Sequence, residues 1–114
     1  MILSEVQRQA RQFADEELFR AVEARQRGLE GRARVCARRA ASAVIQAYFA
    51  AHNISLPSGS VMDALAVCAV LPDVSPQVRN AAQRLMMRVD EQYQLPTEVD
   101  LIAETRLILE ELID

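Results

Sequence analysis

The chain has 114 residues, of which 51% are apolar and 25% charged, and its formal net charge is −3. This length predicts one ordinary domain, residues 1–114, and the balance of apolar and charged residues excludes wholesale disorder. The pI near 5.2 argues against a dedicated duplex-DNA binder, and the longest apolar run, residues 61–72, is too short to cross a bilayer.

Composition also bears on fold and location. Three Gly, four Pro and no Trp favour long helices over many short strands. All 13 basic residues are Arg, which fits either a GC-rich genome or side chains chosen to bind phosphate and carboxylate. Cys36 and Cys68 stand apart in Ala- and Val-rich stretches, so we expect reduced, buried thiols. With no secretory signal, the expected location is the cytoplasm.

The first two helices are predicted at residues 3–26 and 31–52, with a tight turn at Gly28 and Gly31 between them. Seven alanines between Ala37 and Ala51 permit close packing, so the second helix is expected at the centre, ending at a left-handed Asn53. The predicted apolar stripes are Leu3, Val6, Ala10, Phe13, Leu18, Ala21 and Val22, then Ala37, Ala41, Val44, Tyr48 and Ala51 with Ile45 and Phe49 beside them.

Three shorter helices are expected to follow. Ser60 caps one that runs to about Leu71 and is apolar on nearly every side, so a second subunit is a natural cover. Ser75 and Pro76 begin the next, which the turn at residues 93–96 ends. Thr97 caps the last, which runs to the C-terminus. The expected inner faces are Val78, Ala81, Ala82, Leu85, Met86 and Val89, then Ile102, Thr105, Leu109 and Leu112, with Leu101, Ile108 and Ile113 flanking.

Charge is unevenly distributed along the chain. Residues 20–39 hold seven Arg and two Glu, a net of +5, and residues 90–114 hold eight acids and one Arg, a net of −7. These segments either pair with each other or leave an anion site. Arg34 and Arg38 lie four residues apart on one helical face, with Arg39 adjacent, so they could hold a phosphate or an acidic partner.

The sequence offers no recognisable catalytic or metal centre. The one His, His52, falls at a predicted helix end and is expected to cap carbonyls or sit half-exposed there. One His and two scattered Cys do not make a usual zinc site, and no Gly-rich phosphate loop occurs. The adjacent pairs Glu16–Glu17 and Glu110–Glu111 are interpreted as solubilising surface charge. We therefore expect no cofactor, no metal and no enzyme.

Several stretches resemble the HEPN family (higher eukaryotes and prokaryotes nucleotide-binding domains). They are the Arg- and Ala-rich second helix that ends in Tyr48-Phe49, residues 37–52, the extended loop Ile54-Ser55-Leu56-Pro57, and Tyr93-Gln94-Leu95-Pro96 before the last helix. The resemblance covers about residues 5–112. It implies an antiparallel bundle of four to five helices, usually a homodimer. The family includes RNA-cutting toxins and non-catalytic partners of minimal nucleotidyltransferases.

This chain departs from the family's ribonuclease pattern. Ribonuclease members carry an Arg followed after four to six residues by His, and the matching positions before His52 hold Ile45, Gln46 and Ala47. Ser58-Gly59-Ser60 stands where many members have a His, and Gln94-Leu95-Pro96 where many have Arg-Tyr-Pro. The departures remove the cutting motif.

The leading interpretation is a non-catalytic, dimeric, HEPN-like binding protein. It would be the partner or substrate-holding subunit of another protein, such as a minimal nucleotidyltransferase. Arg34, Arg38 and Arg39 with Tyr48 and Tyr93 would line a groove for a nucleotide or RNA. One alternative is a purely structural helix–helix interaction module, and another is an atypical ribonuclease that uses His52.

Overall fold

The computed structural model describes residues 3–88 and 99–113, and within these ranges the protein is all-helical, as predicted. Five helices follow one another: α1 (Glu5–Gln26), α2 (Glu30–Ala51), α3 (Val61–Cys68), α4 (Pro76–Leu85) and α5 (Leu101–Leu112). Buried apolar side chains from all five meet in one core cluster. None of the described helices combines the length and hydropathy that a membrane crossing requires.

Three predicted helix boundaries are confirmed: the starts at Ser60 and Ser75 and the end at Asn53. The Ser60 hydroxyl accepts the Asp63 N–H at 3.0 Å, and the Ser75 hydroxyl accepts the Val78 N–H at 3.2 Å with Pro76 in the first turn. Asn53 ends α2 with a φ of 57°, in the left-handed region. These contacts satisfy backbone groups that a helix end otherwise leaves unpaired.

The predicted ends of the last three helices need correction. Helix α3 stops at Cys68 rather than Leu71, and α4 stops at Leu85. Helix α5 begins only at Leu101, because the Asp100 carboxylate accepts the N–H groups of Ile102 and Ala103 at 3.1 and 3.4 Å. Thr97, predicted as this cap, lies outside the described residues, as do Val89 and the turn at residues 93–96.

Helix α2 is central, as its alanines predicted. It packs against α1, α3 and α5, and Ala37, Ala40 and Ala41 are completely buried along it. A buried hydrogen bond fixes α5 to this helix, with the Thr105 hydroxyl donating to the Ala37 carbonyl at 3.0 Å. Because three neighbouring helices hold α2 in place, the backbone positions from which its arginines extend are fixed.

The predicted apolar faces are partly wrong. On α1, Val6 and Phe13 are 58% and 42% exposed, and the buried face runs instead through Ala14, Glu17, Leu18, Ala21 and Ala24. On α2, Ala51 is exposed and Tyr48 only half-buried. The chain itself covers much of α3, although Met62 remains 41% exposed and Val70, just beyond the helix, 73%.

Candidate ligand-binding cleft

A cleft of about 530 Å³ opens between the beginning of α2, the beginning of α3 and the end of α4. Arg34 and Arg38 reach it from one face of α2, where a spacing of four residues aligns them. Arg88 reaches it just beyond α4. The remaining lining residues are Gly31, Met62 and Met86. Three guanidinium groups thus converge on a concave space with two thioether side chains, and its volume lies in the range of small-ligand sites.

Arg38 is held in the cleft by two hydrogen bonds to the backbone beyond α4. Its Nε donates to the Leu85 carbonyl at 2.7 Å and its Nη2 to the Met87 carbonyl at 2.8 Å. These carbonyls lie where a helix end leaves acceptors unpaired. Burial lowers the pKa of Arg38, and the positive charges of Arg34 and Arg88 lower it further. Arg34 and Arg88 are therefore each close enough to Arg38 for their positive charges to disfavour its charged form.

Little negative charge offsets these three arginines. Among the described residues, only Glu30 lies within ion-pair distance of Arg34, at 3.9 Å between Oε2 and Nη1. The same carboxylate accepts a closer hydrogen bond from Arg25 Nε, at 2.8 Å. In the described ranges no carboxylate lies within 4.0 Å of Arg38 or Arg88. Within the described part of the chain, the charge around the cleft is therefore mainly positive, and an anion would neutralise it.

The structure brings together two of the five residues predicted to form a site. Arg34 and Arg38 share the cleft, but Arg39 turns toward α1, where its Nη1 lies 4.0 Å from Glu17 Oε1. Arg39 lines a different cavity of about 250 Å³ with Phe13 and Gln46. Sequence reasoning placed it beside the others because adjacency in sequence was taken for adjacency in space, whereas successive helical residues point about 100° apart.

Tyr48 is not among the residues that line the cleft. Tyr48 stands ten residues beyond Arg38, roughly 15 Å along the helix axis. Its ring packs on His52, with 4.1 Å between ring centroids. Tyr93 lies outside the described residues. Met62, Met86 and Arg88, which sequence reasoning missed, carry no local signal, because only the packing of α3 and α4 on α2 brings them here.

A second basic cavity, of about 260 Å³, lies at the turn between α1 and α2. Arg20, Arg27 and Arg32 line it together with Glu23. Arg20 already pairs with Glu17 at 3.4 Å. This cavity is half the volume of the cleft and contains its own carboxylate, so the cleft is the stronger candidate for an anion.

Within the described ranges, one ion pair joins the basic segment, residues 20–39, to the acidic segment, residues 90–114. Arg25 Nη1 lies 3.0 Å from Asp100 Oδ1. Although burial alone would raise the pKa of Asp100, the hydrogen bonds from Arg25 and from the Ala103 and Ile102 N–H groups bring it below its usual value. The contact links the end of α1 to the beginning of α5, so part of the predicted basic cluster is structural.

Glu17 corrects the interpretation of the Glu16–Glu17 pair as surface charge. Only 4% of Glu17 is exposed, and its Oε2 atom has no hydrogen-bond partner among the described residues. Burial raises the pKa of the Cys36 thiol, and a hydrogen bond with Glu17 raises it further. Burial also raises the pKa of Cys68 to about 11. Both cysteines are buried and free, as predicted, and neither is activated toward the thiolate.

His52 sits where the sequence predicted it, as the exposed residue that caps the end of α2. Its contact is the Tyr48 ring. Within residues 3–88 and 99–113 there is no group of three or more His, Cys, Asp or Glu side chains that could hold a metal ion. Among the residues that the structure describes, the lining of the cleft contains neither a carboxylate nor an imidazole.

Comparisons of the chain with protein-family models, with curated proteins and with solved structures find no match.

Proposed function

We propose that this protein is a non-catalytic binding protein that holds a small anionic ligand in the cleft of Arg34, Arg38 and Arg88. The observation that carries the proposal is the convergence of three guanidinium groups, two from α2 and one from just beyond α4, while Glu30 is the one carboxylate that the described residues place near them. Guanidinium forks suit phosphate and carboxylate oxygens. The described lining of the cleft provides donors and apolar walls but no general base or nucleophile, which favours binding over catalysis.

The wider proposal is a HEPN-like, cytoplasmic partner or substrate-holding subunit of another protein, such as a minimal nucleotidyltransferase. A nucleotide or RNA is the ligand that this role predicts. Its support is the all-α architecture and the basic cleft. Site residues in this proposal are Arg34 and Arg38, joined by Arg88, whereas Arg39 and Tyr48 lie elsewhere.

Calorimetric titration with AMP and with a short oligouridylate tests the binding site. Arg34→Gln and Arg88→Gln should each weaken binding about tenfold, because a hydrogen bond to a charged group contributes about 1.5–3 kcal/mol. Among the described residues, neither side chain donates a hydrogen bond to the rest of the fold, so stability should change little. Arg32→Gln, which alters the smaller basic cavity, is the matched control.

Two results would contradict the proposal. Equal affinities in the wild type, Arg34→Gln and Arg88→Gln would remove the cleft from the site. A loss of affinity confined to Arg32→Gln would move the ligand to the cavity between α1 and α2.

A homodimeric interaction module is the second candidate function. It is favoured by large apolar side chains that the described chain leaves exposed on α1, with Phe19 70%, Val6 58% and Phe13 42% accessible. Val6 and Phe13 stand seven residues apart and so share a face of the helix. Sedimentation velocity at low and high salt tests this candidate. A dimer held by apolar burial persists at high salt, and a monomer under both conditions excludes it.

A further inference from the structure

The charge of the proposed anion site, its apolar lining and its glycine indicate which kind of anion it binds. We infer that its ligand is a single small organic phosphate monoester, and that Gly31 keeps open the space its phosphoryl group occupies. This inference rests on the proposed function and names the ligand class of the same site.

The charge of the cleft favours a dianion. Arg34, Arg38 and Arg88 bring three positive charges, and the one carboxylate that the described ranges place nearby, Glu30, is held more closely by Arg25. A phosphate monoester carries nearly two negative charges at neutral pH, whereas each internal phosphodiester of RNA carries one. Three oxygens of a terminal phosphoryl group also offer more acceptors to the guanidinium forks than a diester does.

The side chains that line the cleft favour a compact small ligand over a strand of RNA. Met62 and Met86 flank the arginines, and thioethers adapt to irregular apolar or aromatic groups. Single-stranded RNA is usually held by aromatic side chains on which bases stack. Among the described residues, the lining of this cleft contains no aromatic side chain, and Tyr48 is occupied against His52 at the far end of α2.

Gly31 lies in the first turn of α2 and lines the cleft. A Cβ atom built on it would stand 4.0 Å from Arg34 Nη2. That distance is an ordinary contact, so alanine would fit the protein when no ligand is bound. Its methyl group would, however, fill space directly beside the Arg34 guanidinium group, which is a hydrogen-bond donor. Glycine is a poorer helix former than alanine. The glycine is therefore unfavourable for the helix and favourable for an anion that approaches Arg34.

The experiment compares three ligands that differ at the phosphate: phenyl phosphate, methyl phenyl phosphate and inorganic phosphate. Calorimetry on the full chain should show phenyl phosphate binding at least tenfold more tightly than the diester, which has lost one charge and one acceptor. Inorganic phosphate should bind more weakly than phenyl phosphate, because it lacks the body that packs on Met62 and Met86. Isophthalate, a dicarboxylate of similar size, separates a phosphoryl site from a general dianion site.

Gly31→Ala is the decisive variant. It should raise the melting temperature and weaken phenyl phosphate binding at least severalfold, so that a loss of affinity cannot be assigned to misfolding. Gly59→Ala, at a position with open space around it, should leave the affinity unchanged. Unchanged affinity in Gly31→Ala would overturn the role of this glycine.

Other outcomes separate this inference from the proposed function. If oligouridylate binds with a dependence on Arg34 while phenyl phosphate does not, the ligand class is wrong and the anion site stands. Equal binding of phenyl phosphate and isophthalate would likewise overturn the phosphate assignment. If neither the small ligands nor the RNA depends on Arg34, both proposals fail.

Discussion

Individual arginines in this protein serve as backbone clamps as well as charges. Arg38 binds the carbonyls of Leu85 and Met87, and Arg79 Nη1 donates to those of Leu71 and Val74, holding the turn before α4. A guanidinium group presents several donors in a fixed plane, so one side chain can satisfy two or more carbonyls. The use of Arg rather than Lys at these two positions therefore helps to hold the fold together, whatever the genomic reason for the absence of Lys.

This dual use of Arg38 predicts a stability effect that binding alone would not cause. Arg38→Met keeps the apolar stem but leaves the two carbonyls without this donor, so the free energy of unfolding should fall by about 1–3 kcal/mol. Urea denaturation measures the change. Arg32→Met, at an exposed position of the same helix, should change it by less than about 0.5 kcal/mol. Equal effects of the two substitutions on the free energy of unfolding would show that the hydrogen bonds of Arg38 do not stabilise the fold.

At the scale of the helices, the N-terminal capping contacts were the feature best predicted from the sequence. Ser60, Ser75 and Pro76 were recognised because N-caps act over three or four residues, and the structure confirms them. The start of α5 was predicted too early, because Thr97 and Asp100 are both good capping residues by type, and the contact of Asp100 with Arg25 across the fold is not visible in the sequence. The face of α1 was mistaken where Phe13 is exposed and Glu17 buried, since hydrophobicity does not reveal which neighbours a helix meets.

The Asp100 cap predicts a pH dependence at the beginning of α5. Its pKa is lower in the folded protein than in the unfolded chain. Its contribution to stability is therefore present above the unfolded value, near pH 4, and is lost as the pH falls through the folded value. Asp100→Asn keeps the capping acceptor but cannot titrate. Between pH 6 and pH 3, its free energy of unfolding should fall less than that of the wild type.

Asp73→Asn, at an exposed turn position, is the control for this titration. It should leave the acid dependence of the wild type unchanged. A loss of stability in Asp100→Asn that parallels the wild type across the same pH range would contradict the account.

For the molecule as a whole, the sequence was sufficient to predict the fold class but only part of the candidate site. Helical periodicity and the alanines of α2 were sufficient for an all-α protein with a central second helix. The spacing of Arg34 and Arg38 placed them together, because that relation is local to one helix. Met62, Met86 and Arg88 come from α3 and from the end of α4, so their position depends on tertiary packing that no short sequence pattern encodes.

The central claim is that the cleft beside α2 is where this protein binds its anion. The most direct test is calorimetric titration of AMP into the double variant Arg34→Gln/Arg88→Gln beside the wild type. We predict that heat of binding is readily measured for the wild type and falls to the detection limit for the double variant, which keeps the Arg38 clamp and its fold. Binding of equal strength in both proteins would contradict the claim.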